Sequence, residues 1–317
     1  MHIITVAAFA ADMIIGDPEY RLHPARLIGK CIQLLEQPYR GIVKSERVSG
    51  ALFAVTVISL SAAVTVGILL LAGALDGFFH IHMIKRLISI YFIYSCISVK
   101  DMKEKAMHVY AALKDGNMNS ARERLSMIVG RDTKELNKEE IIRGTVESIS
   151  ESIVDGILSP LFFAFIAGPL GAVVYRAVNT LDSMVAYKNE KYIKFGMASA
   201  RIDDVCNYIP ARLSVLFIAC AFFIRLKNGV QAVRIALRDG GKSPSPNSGI
   251  PEAAVAGGLG VRLGGVNYYF GKRTEKPFIG DKVHELDPGA IRESIWIEYI
   301  TGLLFVIAGA LCHYLLI

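Results

Sequence analysis

Long apolar runs separated by charged stretches dominate the chain. The clearest run, residues 51–75, contains no charged residue. As a helix it is long enough to cross a bilayer core, which requires about 20 apolar residues. Residues 299–317 form a second run of this kind. Unbroken runs of this length are typical of membrane-spanning helices and not of alternating strands.

Four further apolar segments leave the number of spans open between four and six. They are short, or they contain a break or a charge: residues 3–15, 87–99, 156–175 and 205–224. The break in the third is Gly168-Pro169-Leu170-Gly171, and non-helical backbone is tolerated at membrane depth where protein surrounds it. We therefore predict an all-α polytopic membrane protein with re-entrant or broken helices, in a single membrane domain over residues 1–317.

The polar stretches predict the orientation. Alternating spans place residues 16–50, 100–155 and 225–298 on one side of the membrane, with 27 Lys and Arg against 7 on the other. The positive-inside rule puts this side in the cytoplasm. We therefore expect a multi-pass protein of the cell membrane whose active face is cytoplasmic.

Two of these stretches are predicted to fold. Residues 100–150 have helical patterns that end near Gly116 and resume at residue 118, so we predict a polar helical cytoplasmic insertion. Thr133 is its expected helix cap. Residues 240–290 hold most of the Gly and Pro of the second half and are predicted to be a folded loop.

Composition excludes several classes of protein. With 53% hydrophobic and 20% charged residues, the chain is too apolar for a disordered protein and unlike an ordinary soluble enzyme. The net charge of +6 includes no basic patch with aromatic neighbours, so we expect no nucleic-acid partner. Five cysteines without a C-x-x-C pair predict neither a disulfide framework nor a zinc site.

Carboxylates recur at helical spacing in E-S-I-S-E-S-I-V-D. Glu147, Glu151 and Asp155 follow i, i+4, i+8 and share one helix face. Like charges at this spacing destabilise a helix unless a cation compensates them. Mg²⁺, which takes one or two carboxylates plus phosphate oxygens, is a natural partner. The alternative is a solvated acidic stripe near a helix N-terminus.

Three more segments place polar groups near the ends of apolar runs or among glycines. Y-R-A-V-N-T-L-D at 175–182 suits phosphate or carboxylate recognition, or merely a snorkelling interfacial arginine. Ionisable groups in 199–212 are costly at membrane depth and usually functional, although an ion-pair network between helices is the alternative. The glycine-rich segment 243–265 could bring backbone amides close to an anion, or could be a plain turn region.

These motifs together resemble the adenosylcobinamide-phosphate synthase family (CobD/CbiB) of cobalamin biosynthesis. The resemblance covers nearly the whole chain. It rests on G-D-P-E-Y-R-L-H-P-A-R-L-I-G at 16–29, R-D-T-K-E-L at 131–136, the 147–160 run ending D-G-I-L-S-P, Y-R-A-V-N-T-L-D-S-M at 175–184, F-G-M-A-S-A-R-I-D-D-V-C-N-Y-I-P-A-R at 195–212 and S-P-N-S-G-I-P-E-A-A-V-A-G-G-L-G-V-R-L-G-G at 245–265.

The resemblance implies an amide-forming ligase. It would join (R)-1-amino-2-propanol phosphate, or free aminopropanol, to a propionate carboxylate of adenosylcobyric acid. Amide formation in neutral water needs activation, which ATP would supply through an acyl phosphate, with Mg²⁺ at the nucleotide phosphates. The other implied partners are the lipid bilayer and further membrane enzymes of the corrinoid pathway.

Candidate roles follow for the polar residues. The metal candidates are Glu147, Glu151, Asp155 and Asp182, and the catalytic candidates are Glu151, Asp203 and Asp204. The candidates for substrate and phosphate binding are Arg176, Asn179, Arg201, Asn207, Arg212, Ser245, Asn247 and Arg262.

Two other functions stay open. One is a Mg²⁺-dependent membrane prenyltransferase, since Asp203-Asp204-x-x-Asn207 resembles half of a diphosphate-binding motif; a second aspartate-rich motif is missing, which counts against it. The other is a non-catalytic membrane sensor or scaffold, which would bind neither nucleotide nor Mg²⁺.

Overall fold

A computed structural model describes residues 2–16, 20, 23–81, 83–187 and 189–316. Within these ranges the chain is helical apart from one two-stranded hairpin. The elements, in chain order, are α1 (His2–Ile15), α2 (Pro24–Arg40), α3 (Glu46–Phe79), α4 (Ile84–Tyr94), α5 (Val99–Lys114), α6 (Met118–Ser126), α7 (Lys138–Ser152), a π-helical segment (Ile153–Leu158), α8 (Ser159–Val185), α9 (Met197–Ile224), α10 (Gly229–Asp239), a 3₁₀ turn (Gly240–Lys242), α11 (Gly249–Leu259), β1 (Leu263–Tyr269), β2 (Lys272–Ile279) and α12 (Gly289–Leu316).

Four helical stretches in the described part of the chain are long and apolar enough to cross a membrane. They are α3, the continuous stretch Lys138–Val185, α9 and α12. The segments α1 and α4, which the apolar pattern also marked, are 14 and 11 residues long. The all-α polytopic prediction is confirmed, with four candidate spans at the lower end of the predicted range.

The chain forms two compact units. The first contains residues 1–97, 159–207 and 306–317, and the second contains residues 98–158 and 208–305. Residues 100–150 form α5, α6 and most of α7, and residues 240–290 form the 3₁₀ turn, α11 and the hairpin. Both of these segments belong to the second unit. The single membrane domain over 1–317 stays a prediction.

In the first unit, α8 breaks and folds back on itself. Gly168 adopts φ 62° and ψ −147°, a conformation open mainly to glycine. The rings of Phe163 and Tyr175 stack with their centroids 5.5 Å apart, whereas twelve residues of straight helix would separate them by about 18 Å. A Cβ on Gly171 would overlap the carbonyl oxygen of Phe163. The predicted broken helix is thus a tight helical hairpin.

In the second unit, α7 begins with a reciprocal cap. The side chain of Asn137 accepts the backbone N–H of Glu140 at 3.0 Å, and the Glu140 carboxylate accepts the N–H of Asn137 at 2.8 Å. This capping box satisfies two of the free donors at the helix start. The predicted cap at Thr133 was wrong, because Asn137 lies directly before the helix and offers the better acceptor.

The second unit also contains the hairpin. β1 and β2 pair antiparallel, and Tyr269 faces Lys272 across the turn. The two turn residues, Phe270 and Gly271, both have positive φ (52° and 74°), as a two-residue hairpin turn with the correct twist requires. The sequence pattern predicted only a folded loop here.

Candidate functional site

Three carboxylates form a cluster in the first unit. Asp182 lies near the end of α8, and Asp203 and Asp204 lie in the first turns of α9. They are close enough to interact electrostatically, and we call them the aspartate cluster. Asp203 is 8% exposed, and its Oδ1 has no hydrogen-bond partner among the described residues. A buried carboxylate oxygen without a donor is costly unless another group completes it.

The side chain of Asn207 holds this cluster against the α8 hairpin. Its amide donates to Asp203 Oδ2 at 2.9 Å. Its Oδ1 accepts the hydroxyls of Ser159 at 2.5 Å and Tyr175 at 2.9 Å, one from each arm of the hairpin. Three of its four possible hydrogen bonds are therefore made within the protein. Asn207 thus positions Asp203, and its predicted role in substrate binding stays a prediction.

Two more predicted residues lie beside the aspartate cluster. Arg176 donates to the backbone oxygen of Cys96 at 2.7 Å and lies 3.4 Å from Asn179 Oδ1. Asn179 also interacts with the Asp203 carboxylate. Arg201 is exposed on α9, and its predicted role in binding stays a prediction.

In the second unit, Glu147 is enclosed by arginines. Its Oε2 accepts a hydrogen bond from Arg131, and its Oε1 accepts the backbone N–H of Gly264 at 2.9 Å. Arg143 Nε lies 3.9 Å from Oε1. Both arginines also donate to Asn267 of β1. Glu147 thus joins α7 to the hairpin, and no observation supports its predicted role as a metal ligand.

A second group of charges, the lysine cluster, consists of Glu151, Glu252 and Lys276. Lys276 Nζ lies 3.9 Å from Glu151 Oε1 and 3.7 Å from Glu252 Oε1. Glu252 is 1% exposed, and this Oε1 has no hydrogen-bond partner among the described residues. Glu151 is partly exposed. The cluster therefore connects a carboxylate at the surface to a buried one through a single lysine.

The charges of the lysine cluster shift one another's ionisation. Burial raises the pKa of Glu252, and Glu151 adds to that shift, while the Lys276 charge opposes it. Burial alone would lower the pKa of Lys276, but the negative charges of Glu252, Glu151 and Glu147 raise it above its ordinary value. Perturbed groups that interact in this way are typical of sites that bind or move protons.

The sequence did not single out Glu252 or Lys276. Glu252 lies within the quoted 245–265 motif, but its charge partner is distant in sequence. Lys276 lies on β2, and only the hairpin brings it to the other two residues. Asp155, the remaining metal candidate, lies in the π-helical segment and is half-buried.

Three predicted binding residues meet in front of α11. Arg212 donates to Asn247 Oδ1 at 3.0 Å and to Pro246 O at 3.4 Å. Its guanidinium lies 3.4 Å from the ring centroid of Tyr208. Ser245 Oγ accepts the backbone N–H of Asn247 at 3.3 Å. The guanidinium therefore fixes the loop that enters the helix.

Arg262, the remaining predicted binding residue, has different surroundings. Its guanidinium lies over the ring of Phe278, 4.3 Å from the centroid. It lines a small cavity with Glu139 and His284. Of the motif at 16–29, residues 17–19 and 21–22 lie outside the described residues.

Comparison with known proteins gives the relationship of the whole chain. The family model described as CobD/Cbib protein matches residues 5–297. A "Cobalamin biosynthesis protein CobD" of Clostridium perfringens (strain 13 / Type A) is 44% identical over 89% of this chain and 88% of its own length. Proteins of the same name from Geobacter metallireducens and Photorhabdus laumondii subsp. laumondii are each 42% identical, over 97% and 98% of this chain and 95% and 97% of their own lengths.

No solved structure matches the chain significantly. The family match nevertheless extends through both compact units and includes every candidate site residue. The relatives match across nearly their full lengths, so the likeness concerns the entire protein and not a shared fragment. The chain belongs to the CobD/CbiB family of cobalamin biosynthesis proteins.

Proposed function

We propose that this protein is an adenosylcobinamide-phosphate synthase. It would couple (R)-1-amino-2-propanol phosphate to a propionate carboxylate of adenosylcobyric acid, with ATP as the source of activation. The observation that carries the proposal is the family match over residues 5–297. It is supported by two clusters of carboxylates, each with one buried member, Asp203 or Glu252, at which cations can bind and protons can be transferred.

The aspartate cluster is our candidate for Mg²⁺ binding. No group of three or more His, Cys, Asp and Glu among the described residues is arranged to hold a metal ion by itself. Mg²⁺ does not require such a group, because it usually binds one or two carboxylates and takes its other ligands from water and substrate phosphates. The buried Oδ1 of Asp203, which has no described hydrogen-bond partner, fits this role, with Asp182 and Asp204 beside it. Bound there, Mg²⁺ would neutralise charge on the nucleotide phosphates.

The lysine cluster is our candidate for proton transfer. An aminopropanol nitrogen is protonated at neutral pH and must lose a proton before it can attack an activated carboxylate. Glu151 is partly exposed and lies beside the Lys276 ammonium, so it can receive a proton and release it to water. Arg212, held by Asn247 next to the Ser245 turn, is our candidate for capturing a phosphate or carboxylate.

The proposal is tested with purified protein reconstituted in lipid. The protein is incubated with adenosylcobyric acid, aminopropanol phosphate, Mg²⁺ and ATP, and the amide product is detected by mass spectrometry. Parallel reactions omit ATP or replace the phosphate with free aminopropanol. We expect product only with ATP. Folded protein that makes no product with either amine would contradict the proposal.

Isotope transfer tests the activation step. If the carboxylate is labelled with ¹⁸O and activated as an acyl phosphate, one labelled oxygen leaves with the phosphate. Label that appears in AMP would indicate an acyl adenylate instead. If the label appears neither in phosphate nor in AMP, activation of this carboxylate by ATP is excluded.

A matched pair of variants tests the aspartate cluster. Asp203→Asn keeps the shape of the side chain but removes its charge, and we expect activity and apparent Mg²⁺ affinity to fall at least about tenfold. Asp115→Asn makes the same change at an exposed site after α5 and should leave both unchanged. Equal behaviour of the two variants would remove the aspartate cluster from the site. Neither the prenyltransferase nor the scaffold alternative gains support from the comparisons.

A further inference from the structure

The ends of two candidate spans mark one boundary of the membrane in the second unit. Arg225, directly after α9, donates to Glu293 of α12 at 3.0 and 3.1 Å. Its guanidinium lies 5.7 Å from the ring centroid of Trp296. Phe217 and Phe305 pack with their centroids 5.2 Å apart. The two helices therefore run antiparallel, and the Arg225–Trp296 level has the basic and aromatic residues typical of a bilayer interface.

Helix α10 begins at this level. A Cβ on Gly229, its first residue, would overlap the carbonyl oxygen of Ala219 and lie 2.8 Å from the ring of Phe223. On its other side, Gly257 of α11 is so close that a Cβ there would lie 2.7 Å from Ile235 Cβ. The start of α10 is thus packed on the last turns of α9, and α11 fixes its rotation.

The face of α10 that points away from these contacts, together with the turn before the helix, is apolar and basic. Leu226 is 95% exposed, and Val230 and Leu237 are 65% and 82% exposed. Lys227 and Arg234 are exposed among them. We call these five residues the interfacial face. Leu226 also adopts a positive φ of 53°, an unfavourable conformation for a residue other than glycine.

Charge and position indicate what covers this face. Residues 225–238 contain four basic and no acidic residues. Arg225 and Lys227 pair with Glu293, and Arg238 pairs with Asp239 and Asp281. Arg234 has no ion pair among the described residues and is exposed. Exposed leucines next to cations are unfavourable toward water but match a phospholipid surface, where acyl chains lie below phosphate groups. The face also continues directly from exposed Phe223 and Ile224 at the end of α9. This continuity favours the membrane itself over a protein partner.

We propose that α10 lies in the membrane interface and binds anionic phospholipid. Leu226, Val230 and Leu237 insert among the upper acyl carbons, while Lys227 and Arg234 bind phosphate groups of the leaflet. This surface is independent of the proposed catalytic function, because none of its residues belongs to the aspartate or lysine cluster.

The first test measures depth. Trp296 is the single tryptophan of the chain, so Trp296→Phe gives a background without tryptophan emission. Leu237→Trp in that background, reconstituted in vesicles, should show blue-shifted emission that is quenched by phosphatidylcholine brominated on upper acyl carbons. Lys272→Trp, at the exposed first residue of β2, should be quenched by aqueous iodide instead. Equal iodide quenching of the two would overturn the proposal.

The second test measures headgroup preference. Protein is extracted from vesicles of phosphatidylcholine and phosphatidylglycerol, and retained phosphatidylglycerol is counted by native mass spectrometry. We expect Lys227→Gln/Arg234→Gln to lower retention by about fivefold for each cation removed. The control Lys272→Gln/Arg273→Gln removes the same charge from the hairpin and should retain wild-type amounts. Equal retention by the two double variants would refute anionic lipid binding at α10.

Discussion

Removing the lysine from the lysine cluster should produce a pH-dependent loss of stability. Lys276→Met keeps the length of the side chain but removes the charge that lies 3.7 Å from Glu252 and 3.9 Å from Glu151. Water can solvate the Glu151 carboxylate after this change because Glu151 is partly exposed. Glu252 is 1% exposed, so water cannot solvate its carboxylate.

The size of the effect follows from distance and burial. At an effective dielectric constant of about 20, unit charges 3.7 Å apart attract by about 4.5 kcal/mol. The Lys276 side chain is 25% exposed, and water weakens this attraction. Removing one member of a buried pair typically costs about 3–5 kcal/mol, so we expect a loss of about 3 kcal/mol in the free energy of unfolding.

The loss should grow with pH. Burial raises the folded-state pKa of Glu252 above its unfolded value, and without Lys276 it rises further. The folded state then holds a proton that the unfolded state has released, so stability falls as pH rises between the two pKa values, by about 1.4 kcal/mol per unit. The deficit of Lys276→Met relative to the wild type should be small while Glu252 is protonated in both proteins. The deficit should begin to grow as pH rises above the folded-state pKa of Glu252 in the wild type. It should reach its full size about two pH units higher.

The assay is chemical unfolding in micelles at pH values from 5 to 9, followed by Trp296 emission. Lys282→Met is the matched control, because Lys282 pairs with exposed Glu285 at 3.0 Å and a surface pair contributes about 0–1 kcal/mol. The double variant Lys276→Met/Glu252→Gln should lose the added pH dependence. A deficit of equal size at pH 5 and pH 9 would refute the assignment of Lys276 as the counter-charge of Glu252.

Three further outcomes are expected in the same assay, with the pH range extended to about 2 for the third. Glu147→Gln should lower the free energy of unfolding by about 3–5 kcal/mol because it leaves buried arginines without their carboxylate. Glu139→Gln, at an exposed position on the same helix, should change it by less than about 0.5 kcal/mol. Equal effects of the two variants would contradict the buried pairing. Gly171→Leu should lower the free energy of unfolding by about 3 kcal/mol or more, since its Cβ would overlap backbone. Gly67→Leu, with open space around the new side chain, should be tolerated. A stable Gly171→Leu protein would exclude the tight hairpin. Hydrogen bonds and charge from neighbouring basic side chains hold the pKa of Asp239 well below its ordinary value. Its contribution to the free energy of unfolding is therefore present above pH about 4 and is lost as pH falls through the folded pKa. Asp239→Asn should reduce this loss of stability at acid pH, and an unchanged loss would show that another group controls it.

Local patterns predicted the parts of the fold that depend on local physics. Uninterrupted apolar runs identified α3 and α12, because length and composition alone decide whether a helix can span a bilayer. The Gly168 break was visible because glycine and proline act on their own turn of chain. The end of α5 near Gly116 and the start of α6 at residue 118 followed from helical periodicity in the same way.

The site was harder to predict because its contacts are long-range. Lys276 meets Glu252 only through the hairpin, and the hairpin itself was predicted only as a folded loop. Asn207 lies one helical turn after Asp203, but its hydroxyl donors come from two arms of a hairpin whose closure the sequence does not reveal. Glu147 lies four residues before Glu151, the spacing from which we predicted a metal site. Its carboxylate accepts a hydrogen bond from Arg131, sixteen residues away in sequence, and spacing along one helix does not reveal this partner.

The two carboxylates that remain incompletely bonded are the strongest structural argument for a functional role. Asn207 donates to Oδ2 of Asp203, whose buried Oδ1 has no hydrogen-bond partner among the described residues. Lys276 lies 3.7 Å from Oε1 of Glu252, beyond hydrogen-bond distance, and this buried oxygen likewise has no described hydrogen-bond partner. A buried ion pair can often be replaced by apolar side chains without loss of stability, so stability alone gives little reason to keep such oxygens. Glu147, whose two oxygens both accept hydrogen bonds, shows that the same chain can satisfy a buried carboxylate fully. The contrast therefore separates Glu147, which is satisfied within the fold, from Asp203 and Glu252, which we propose are completed by substrates, protons or a cation.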